Sequence, residues 1–207
     1  PDNYTNSAGV LDYLSGTITT SLFGRYVRVT DTCGAISENA TGSINLGGTN
    51  GQHDCTTGGA SAGNTPASRA CFYEVNKLQE LARGYLPNNT WLQNALTANV
   101  NLNQTCNAYW DGSSINFFKS GGGCRNTGEI AAVFDHEWGH GLDANDGNGL
   151  SNPSESYADI AAIYRLQSSC VGYGFFWTAD KGCGQNLDGT GYNTNLAPTG
   201  GSCVAPD

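Results

Sequence analysis

Apolar residues recur at helical spacing in three segments of the chain. In the first segment, Thr65 suits a helix N-cap, Pro66 suits the first helical position, and the following apolar residues share one face. That face consists of Ala67, Cys71, Val75, Leu78 and Ala82. Gly84 and Pro87 are typical of a helix end. The pattern therefore predicts an amphipathic helix from Thr65 to about Gly84.

Two further helices are predicted in the second half of the chain. One runs from about Thr127 through His140, and Gly141 is placed to end it. The other begins near Asn152 and continues to about Gln167. Its apolar residues are Ala158, Ile160, Ala161, Ala162, Ile163 and Leu166. Because they leave almost no polar face, we expect this last helix to be buried.

Alternating and β-rich runs predict strands between these helices. Residues 17–22 and 25–30 are separated by two residues and predict a hairpin. Residues 97–102 alternate like a strand, and residues 114–118 form a second candidate. Residues 42–64 are rich in Gly, Ser and Thr, which predicts a long loop. Strands and helices in this order predict an α+β domain.

Composition restricts the chain to a folded, acidic protein. Its 207 residues suit one well-cored domain or two small lobes that share a cleft. An aromatic content of 10% with only 13% charged residues excludes a disordered chain. The net charge of -9 argues against a nucleic-acid or anionic-membrane partner. The longest strongly apolar run, residues 130–134, is too short for membrane insertion.

The eight cysteines point to an oxidising compartment. They contain no CxxC pair, which favours four disulfides over a zinc knuckle or a thioredoxin-type site. The chain opens with Pro1 and shows no signal peptide, so we expect a processed, secreted product. Four sequons can carry glycans if the source glycosylates its proteins, at Asn3, Asn39, Asn88 and Asn103.

The second predicted helix carries an HExxH motif, from His136 to His140. Histidines four residues apart project from the same face of a helix, where they can hold one Zn²⁺. Glu137 then lies beside the metal and can take a proton from activated water. Two of the three histidines in the protein belong to this motif. The sequence therefore predicts a zinc site on this helix.

A catalytic zinc needs a third protein ligand, and three carboxylates follow the motif. Asp143 sits at the helix end, Asp146 lies six residues after His140, and Glu155 begins the next helix. We favour Glu155, because a second helix packed beside the first can complete the site. Asp159, one turn later, can then hold the far nitrogen of a ligand histidine. The alternative for Glu155 is a helix-start residue in a capping box.

The segment after the motif is dense in oxygen ligands. Asp143, Asn145 and Asp146 can hold Ca²⁺, although the segment lacks the full EF-hand spacing and its closing Glu. The alternative is a polar turn built from Asn, Asp and Gly. His53, beside Asp54, is expected to be a loop histidine.

A family resemblance covers residues 66–167 and keeps the order of four elements. Residues 106–113, with the run Asn107-Ala108-Tyr109-Trp110, resemble the edge strand of thermolysin-like metallopeptidases. Upstream, residues 70–76 resemble the helix that precedes this strand in thermolysin-like and fungalysin-like enzymes. Downstream of HExxH, the run from Glu155 to Asp159 resembles the Glu-x-x-x-Asp helix of these gluzincin-type zincins.

The resemblance implies a zincin-like fold and a zinc-dependent endopeptidase. Residues 1–142 would form a twisted sheet over the HExxH helix, and residues 143–207 a reduced C-terminal lobe within the same compact domain. The implied zinc ligands are His136, His140 and Glu155. Glu137 would activate water and later protonate the leaving amine, and Asp159 would orient a ligand histidine.

The resemblance also implies how a polypeptide substrate binds. Asn107 and the backbone of Ala108 would hold an extended peptide against the edge strand, as in strand addition. Tyr109 and Trp110 would line the cleft or its floor. The alternative for these two aromatic residues is packing in the core.

The sequence departs from the family pattern in three ways. Only residues 141–154 separate His140 from Glu155, so the connecting loop must be trimmed. No histidine follows His140 to stabilise the oxyanion, and the substitutes are Tyr157, Tyr164, Arg165, Tyr173 and Tyr192. The chain after Glu155 is short, and its expected staples are Cys170, Cys183 and Cys203.

These departures keep a second class of function open. The alternative to an endopeptidase is a secreted structural, adhesive or filament-forming module that retains a zincin scaffold with little or no activity. Chelator-sensitive cleavage of casein would separate the two. The sequence leaves the oligomeric state open.

Overall fold

The computed structural model describes residues 15–42, 65–147, 154–168 and 171–176. Within these ranges the chain is a mixed α+β fold, as predicted. The strands are β1 (Ile18–Thr20), β2 (Val27–Asp31), β3 (Glu38–Ala40), β4 (Leu96–Leu102), β5 (Ala108–Trp110) and β6 (Ser114–Phe118). The helices are α1 (Pro66–Tyr85), α2 (Ala131–Asn145) and α3 (Ser154–Leu166). In the described ranges no helix combines the length and apolarity needed to cross a membrane.

The main sheet has the strand order β2-β4-β6-β5. The first three strands are parallel, and β5 pairs antiparallel with β6. Within the described residues β5 has no other partner strand, so it forms an edge of the sheet. The predicted hairpin is wrong, because β1 pairs with β3 and β2 pairs with β4. One isolated bridge, between Phe23 and Arg28, remains of that hairpin.

Helix α1 follows the sequence prediction. The Thr65 hydroxyl oxygen accepts a hydrogen bond from the Ser68 N–H at 3.3 Å, and Pro66 occupies the first turn. All five residues of the predicted apolar face are buried. They pack against the sheet and form the core together with Phe117 and Phe134, whose ring centroids lie 4.5 Å apart.

A buried polar network joins the sheet to the helices. The Thr65 hydroxyl donates to Asp31 Oδ2 at 2.7 Å. The Asn101 amide donates to Asp31 Oδ1 at 3.0 Å and to Thr65 Oγ1 at 2.9 Å. Asn126 donates to Asn101 Oδ1 at 2.7 Å and accepts from the Gly128 N–H. The network thus links the end of β2, the start of α1, β4 and the turn that leads into α2.

Helix α2 extends beyond the predicted end at Gly141 and continues to Asn145. The glycine serves packing instead of termination, because a Cβ atom at Gly141 would lie 2.8 Å from Trp91 Cζ2. It would also lie 3.4 Å from the Trp110 ring. The expectation that Gly141 caps this helix is therefore wrong.

Helix α3 packs on α2 through small residues. A Cβ atom at Gly139 would lie 2.7 Å from Ala158 Cα, so the two backbones approach closely. Of the described α3 residues, only Ala158 and Ala162 are buried. Ile160 and Tyr164 are 51% and 79% exposed. The expectation of a buried helix is wrong, because the small residues face α2, Ile163 and Leu166 are only partly buried, and Ile160 and Tyr164 face outward.

The described cysteines differ from one another in state. Cys106 and Cys124 form a disulfide, and Cys33 is also disulfide-bonded. Cys71 is a free, fully buried thiol, so the expectation that all eight cysteines pair is wrong for this residue. Burial raises the pKa of the Cys71 thiol above its ordinary value. The remaining four cysteines, residues 43–64 of the predicted loop and most of the predicted C-terminal lobe lie outside the described residues.

Replacing Gly139 with alanine should lower the free energy of unfolding by about 1–3 kcal/mol, because the new methyl group meets the α3 backbone. Gly84→Ala in α1 is the matched control, since nothing lies within 4 Å of a Cβ atom there. That change should stabilise the protein by about 0.5–1 kcal/mol. Thermal unfolding measures both variants, and equal midpoints would contradict the close approach of α2 and α3.

Candidate metal centre

Helices α2 and α3 bring three ligand atoms to one point. His136 and His140 lie one turn apart on α2, and their Nε2 atoms are 3.1 Å apart. Glu155, in the first turn of α3, places Oε2 3.2 Å from His136 Nε2 and 3.6 Å from His140 Nε2. Among the His, Cys, Asp and Glu residues that the structure describes, these three alone form such a group. Neither Asp143 nor Asp146 belongs to it.

The far nitrogen of each histidine has its own partner. His136 Nδ1 lies 2.8 Å from Asp159 Oδ1, and His140 Nδ1 lies 2.7 Å from Ser154 Oγ. When these Nδ1 atoms carry the protons, both Nε2 lone pairs face Glu155. Two imidazole nitrogens and one carboxylate oxygen are a ligand set that suits zinc and leaves a further coordination position. The residues present therefore fit a zinc ion.

The role of Ser154 as a partner of His140 was not predicted from the sequence. The residue immediately precedes Glu155 and begins α3, where serine is an ordinary helix-start residue. The contact with His140 depends on how α3 crosses α2, which the local sequence does not encode. The only signal was its position, one residue from a predicted ligand.

The two histidines differ in basicity. Burial opposes protonation of His136, but the hydrogen bond with Asp159 and the nearby carboxylates outweigh burial and raise its pKa above the ordinary value. Burial and the neighbouring charge of His136 lower the pKa of His140. A lowered pKa favours neutral His140, which is the form that binds a metal.

Glu137 is a buried carboxylate directed at the same cleft. It is 6% exposed and accepts a hydrogen bond from the backbone N–H of Trp110 in β5. Burial raises the pKa of Glu137 to about 7, against the opposing effects of His136 and the Trp110 N–H. A group with a pKa near neutrality can both take and return a proton near neutral pH. Glu137 therefore lies in the cleft with a pKa near neutrality.

Edge strand β5 lines the cleft on both sides of the ligand group. A cavity of about 370 Å³ is lined by Asn107, Ala108, Val133, His136, Glu137, Glu155, Asp159, Val171, Gly172, Phe175 and Phe176. A neighbouring cavity of about 450 Å³ is lined by Asn107, Ala108, Tyr109, Trp110, His136, Glu137, His140, Ser154 and Glu155. The four residues that we expected to contact a substrate thus lie along the same cleft as the ligand group.

The aromatic residues of β5 have different surroundings. The Tyr109 side chain is 40% exposed and packs edge-to-face on Phe118. Trp110 is partly buried and packs edge-to-face on Trp91, with ring centroids 6.1 Å apart. Trp110 therefore both lines the cleft and contacts the core.

Comparison with known proteins supports this fold. No protein-family model and no curated protein sequence matches the chain. Among solved structures, the chain is similar to the precursor of protealysin, a metalloproteinase from Serratia proteamaculans, with a TM-score of 0.52 and 19% identity. Over the matched part, this chain and that protein share a fold. The match covers 72% of this chain and 49% of the protealysin precursor, so the chain spans about half the length of that protein.

Three predicted oxyanion partners lie away from the cleft. Tyr157, Tyr164 and Arg165 line a separate groove between α1 and α3. Around the axis of α3, Tyr157 is rotated by about 200° and Tyr164 by about 180° from Glu155. Both tyrosines therefore lie on the face of α3 opposite Glu155. These three residues do not line the two cavities beside the ligand group, and their expected catalytic role stays a prediction. Tyr173 lines a third cavity, and Tyr192 lies outside the described residues.

The groove residues have other contacts. Arg165 Nη2 lies 2.7 Å from Glu74 Oε2 and thereby joins α3 to α1. Asp135, which precedes His136, is fully buried near this ion pair. Burial raises the pKa of Asp135 to about 8, although the charge of Arg165 acts in the opposite direction. Arg165 thus links α3 to α1 through its ion pair with Glu74.

The predicted calcium residues lie at the end of α2. The Asn145 amide donates to the Gly141 carbonyl at 2.8 Å, and the Tyr157 hydroxyl lies 3.4 Å from Asp146 Oδ2. Asp143 is buried. Two of the three side chains therefore have protein partners, and calcium binding by this segment stays a prediction.

Replacing Glu155 with glutamine should remove one of the three ligands. Zinc affinity should fall by more than the roughly 10–100-fold typical of residues that only support ligands. Asp146→Asn is the matched control and should bind zinc like the wild type. Competition with a chelator measures both affinities, and the opposite ranking would make Asp146 the third ligand.

Ser154→Ala tests the partner of His140. Loss of the hydroxyl frees the His140 ring to rotate, so zinc affinity should fall by about 10–100-fold. Ser156→Ala, two residues along the same helix, is the control. Equal affinities of the two variants in the same chelator competition would show that Ser154 does not support the ligand.

Proposed function

We propose that this protein is a secreted zinc endopeptidase with a single catalytic domain, which hydrolyses a polypeptide bound along β5. One observation carries the proposal. The Nε2 atoms of His136 and His140 and a carboxylate oxygen of Glu155 converge beside buried Glu137, at an open strand edge. The likeness to the protealysin precursor supports a peptidase scaffold.

The residues present define how zinc would be held. His136, His140 and Glu155 would bind it, while Asp159 and Ser154 would accept hydrogen bonds from the Nδ1–H groups of the two histidines. When bound, zinc would act as a Lewis acid that polarises the peptide carbonyl and lowers the pKa of water in the site. All further steps belong to side chains and backbone of this chain.

Glu137 is the proposed general base. Its carboxylate accepts a proton from the attacking water and later returns it to the nitrogen of the leaving amine. The Trp110 N–H holds the carboxylate in place, and burial keeps its pKa high enough for the second transfer. Because Trp110 belongs to β5, the base and the substrate-binding strand are directly connected.

Strand β5 is the proposed substrate platform. Its edge away from β6 offers backbone donors and acceptors to an extended peptide. Asn107 and Ala108 line both cavities of the cleft, so a peptide bound there would pass the ligand group. In this proposal, the carbonyl of the cleaved bond would lie near Glu137 and the three ligands.

Secretion is supported by the cysteines. The Cys106–Cys124 disulfide and the bonded state of Cys33 suit an oxidising compartment. A disulfide also holds a short domain together where little chain is available for a core.

One observation favours the second candidate, a zincin scaffold with little activity. Tyr157, Tyr164 and Arg165, which were expected to stabilise the oxyanion, line a different groove. Without such a donor the rate of hydrolysis would fall by about 10²–10³-fold. Activity assays must therefore include long incubations with a broad substrate such as casein.

Glu137→Gln should keep zinc and lose hydrolysis. The amide cannot accept a proton from water, so casein cleavage should slow by at least about 10²–10⁴-fold. Elemental analysis should still find one zinc per chain. Wild-type activity should disappear with a chelator and return when zinc is added back.

Two results would contradict the proposal in different ways. Cleavage by the Glu137→Gln variant at the wild-type rate would exclude Glu137 as the base. A zinc-loaded wild-type protein that cleaves no broad substrate would favour the scaffold function.

A further inference from the structure

One wall of the 370 Å³ cavity comes from chain beyond α3. Val171, Phe175 and Phe176 line the cavity together with Val133 of α2. The Phe175 and Phe176 rings pack edge-to-face with centroids 5.1 Å apart. We call residues 171–176 the aromatic wall. Phe175 and Phe176 are partly buried and line this cavity, while Val171 is anchored in a small hydrophobic cluster with Ala132 and Ala162.

The aromatic wall is attached to the turn after β6. The Arg125 N–H donates to the Phe175 carbonyl at 2.9 Å, and Cys124 forms a β-bridge with Phe176. Cys124 and Gly121 exchange two backbone hydrogen bonds, of 2.9 and 3.0 Å. Within the described residues, backbone hydrogen bonds therefore join the aromatic wall to the turn of residues 121–125.

The same turn is covalently linked to the start of β5. Cys124 is fully buried and forms a disulfide with Cys106, which directly precedes Asn107. The Asn107 carbonyl accepts a hydrogen bond from the Thr127 hydroxyl at 3.0 Å. Both sides of the cavity, β5 and the aromatic wall, thus meet at Cys124.

The backbone at Cys106 requires external support. Its φ of 61° lies in the left-handed region, which residues with a Cβ atom rarely adopt. The glycine turn packs directly on this corner, since a Cβ atom at Gly121 would lie 2.6 Å from Thr105 Cγ2. A Cβ atom at Gly122 would lie 3.2 Å from Cys106 Sγ. The corner that aims Asn107 into the cleft therefore depends on its contacts with the turn.

We propose that the Cys106–Cys124 disulfide is a positioning element of the site, which sets the spacing between β5 and the aromatic wall. A peptide on β5 inserts a side chain against Phe175 and Phe176, and the crosslink fixes the width of the space that receives it. The disulfide touches neither the ligand group nor Glu137. It therefore acts on substrate binding and selectivity, and leaves zinc and proton transfer unchanged. This inference rests on the proposed peptidase function.

The test uses the full chain with both cysteines replaced, Cys106→Gly together with Cys124→Ala. Glycine adopts positive φ readily, so the corner is kept while the crosslink is lost. KM for casein-derived peptides should rise about tenfold with kcat and zinc content unchanged, since only substrate binding is affected. Phe176→Ala, with the disulfide intact, should raise KM similarly and broaden the residues found beside cleaved bonds by mass spectrometry.

Phe23→Ala is the control, because Phe23 is 53% exposed, contacts Arg28 and lines neither cavity of the cleft. It should leave KM and the cleavage profile unchanged. Wild-type KM and selectivity in the folded double variant would overturn the positioning role. If the double variant fails to fold, an unchanged KM and cleavage profile for Phe176→Ala would overturn it.

Amide hydrogen exchange tests the same inference without turnover. In the double variant, the Arg125 and Phe175 amides should exchange faster than in the wild type, because their hydrogen bonds hold the wall. The Ala98 amide in β4 should stay equally protected. Unchanged exchange at Arg125 and Phe175 would overturn the inference. Absence of chelator-sensitive cleavage by the wild type would instead reject the peptidase function, and the exchange result would still decide the positioning role.

Discussion

The buried hydrogen-bond network around Asn101 is the constraint on which the rest of the structure depends. Asp31, Thr65 and Asn126 would each lose a buried partner without it, at a cost of about 1–3 kcal/mol per unsatisfied group. Ile130 at the start of α2 makes no side-chain cap bond, whereas Asn126 caps the preceding 3₁₀ turn through the Gly128 N–H. The network therefore ties the segment that leads into α2, the helix of the candidate metal-binding histidines, to the end of the sheet.

The ligand group depends in turn on how closely two helices approach. Gly139 lies between the two motif histidines and allows α3 to contact α2 at Ala158. At that distance Glu155, three residues before Ala158, reaches both imidazoles, and Asp159 reaches His136 from behind. The geometry of the ligand group thus depends on the close packing of α2 and α3, which Gly139 allows.

The sequence predicted correctly those features that depend on interactions between residues close together in the chain. The cap at Thr65 and the α1 face were confirmed, because cap chemistry and helical spacing act within a few residues. The hairpin was wrong, because the partner of β2 lies far along the chain in β4. Gly141 was misread because its role is a tertiary contact with Trp91. The convergence of His136 with Glu155 was favoured by the order of the two helices and strengthened by the family resemblance, although no spacing rule joins two helices.

The free thiol of Cys71 has a consequence for how this chain matures. A protein with several cysteines can exchange disulfides through any accessible thiolate while it is still unfolded. Cys71 lies on the α1 face that packs on the sheet, fully buried, with a raised pKa that suppresses the thiolate. If α1 docks on the sheet before the disulfides form, Cys71 is therefore protected from thiol–disulfide exchange. If α1 docks later, the Cys71 thiol can form non-native disulfides.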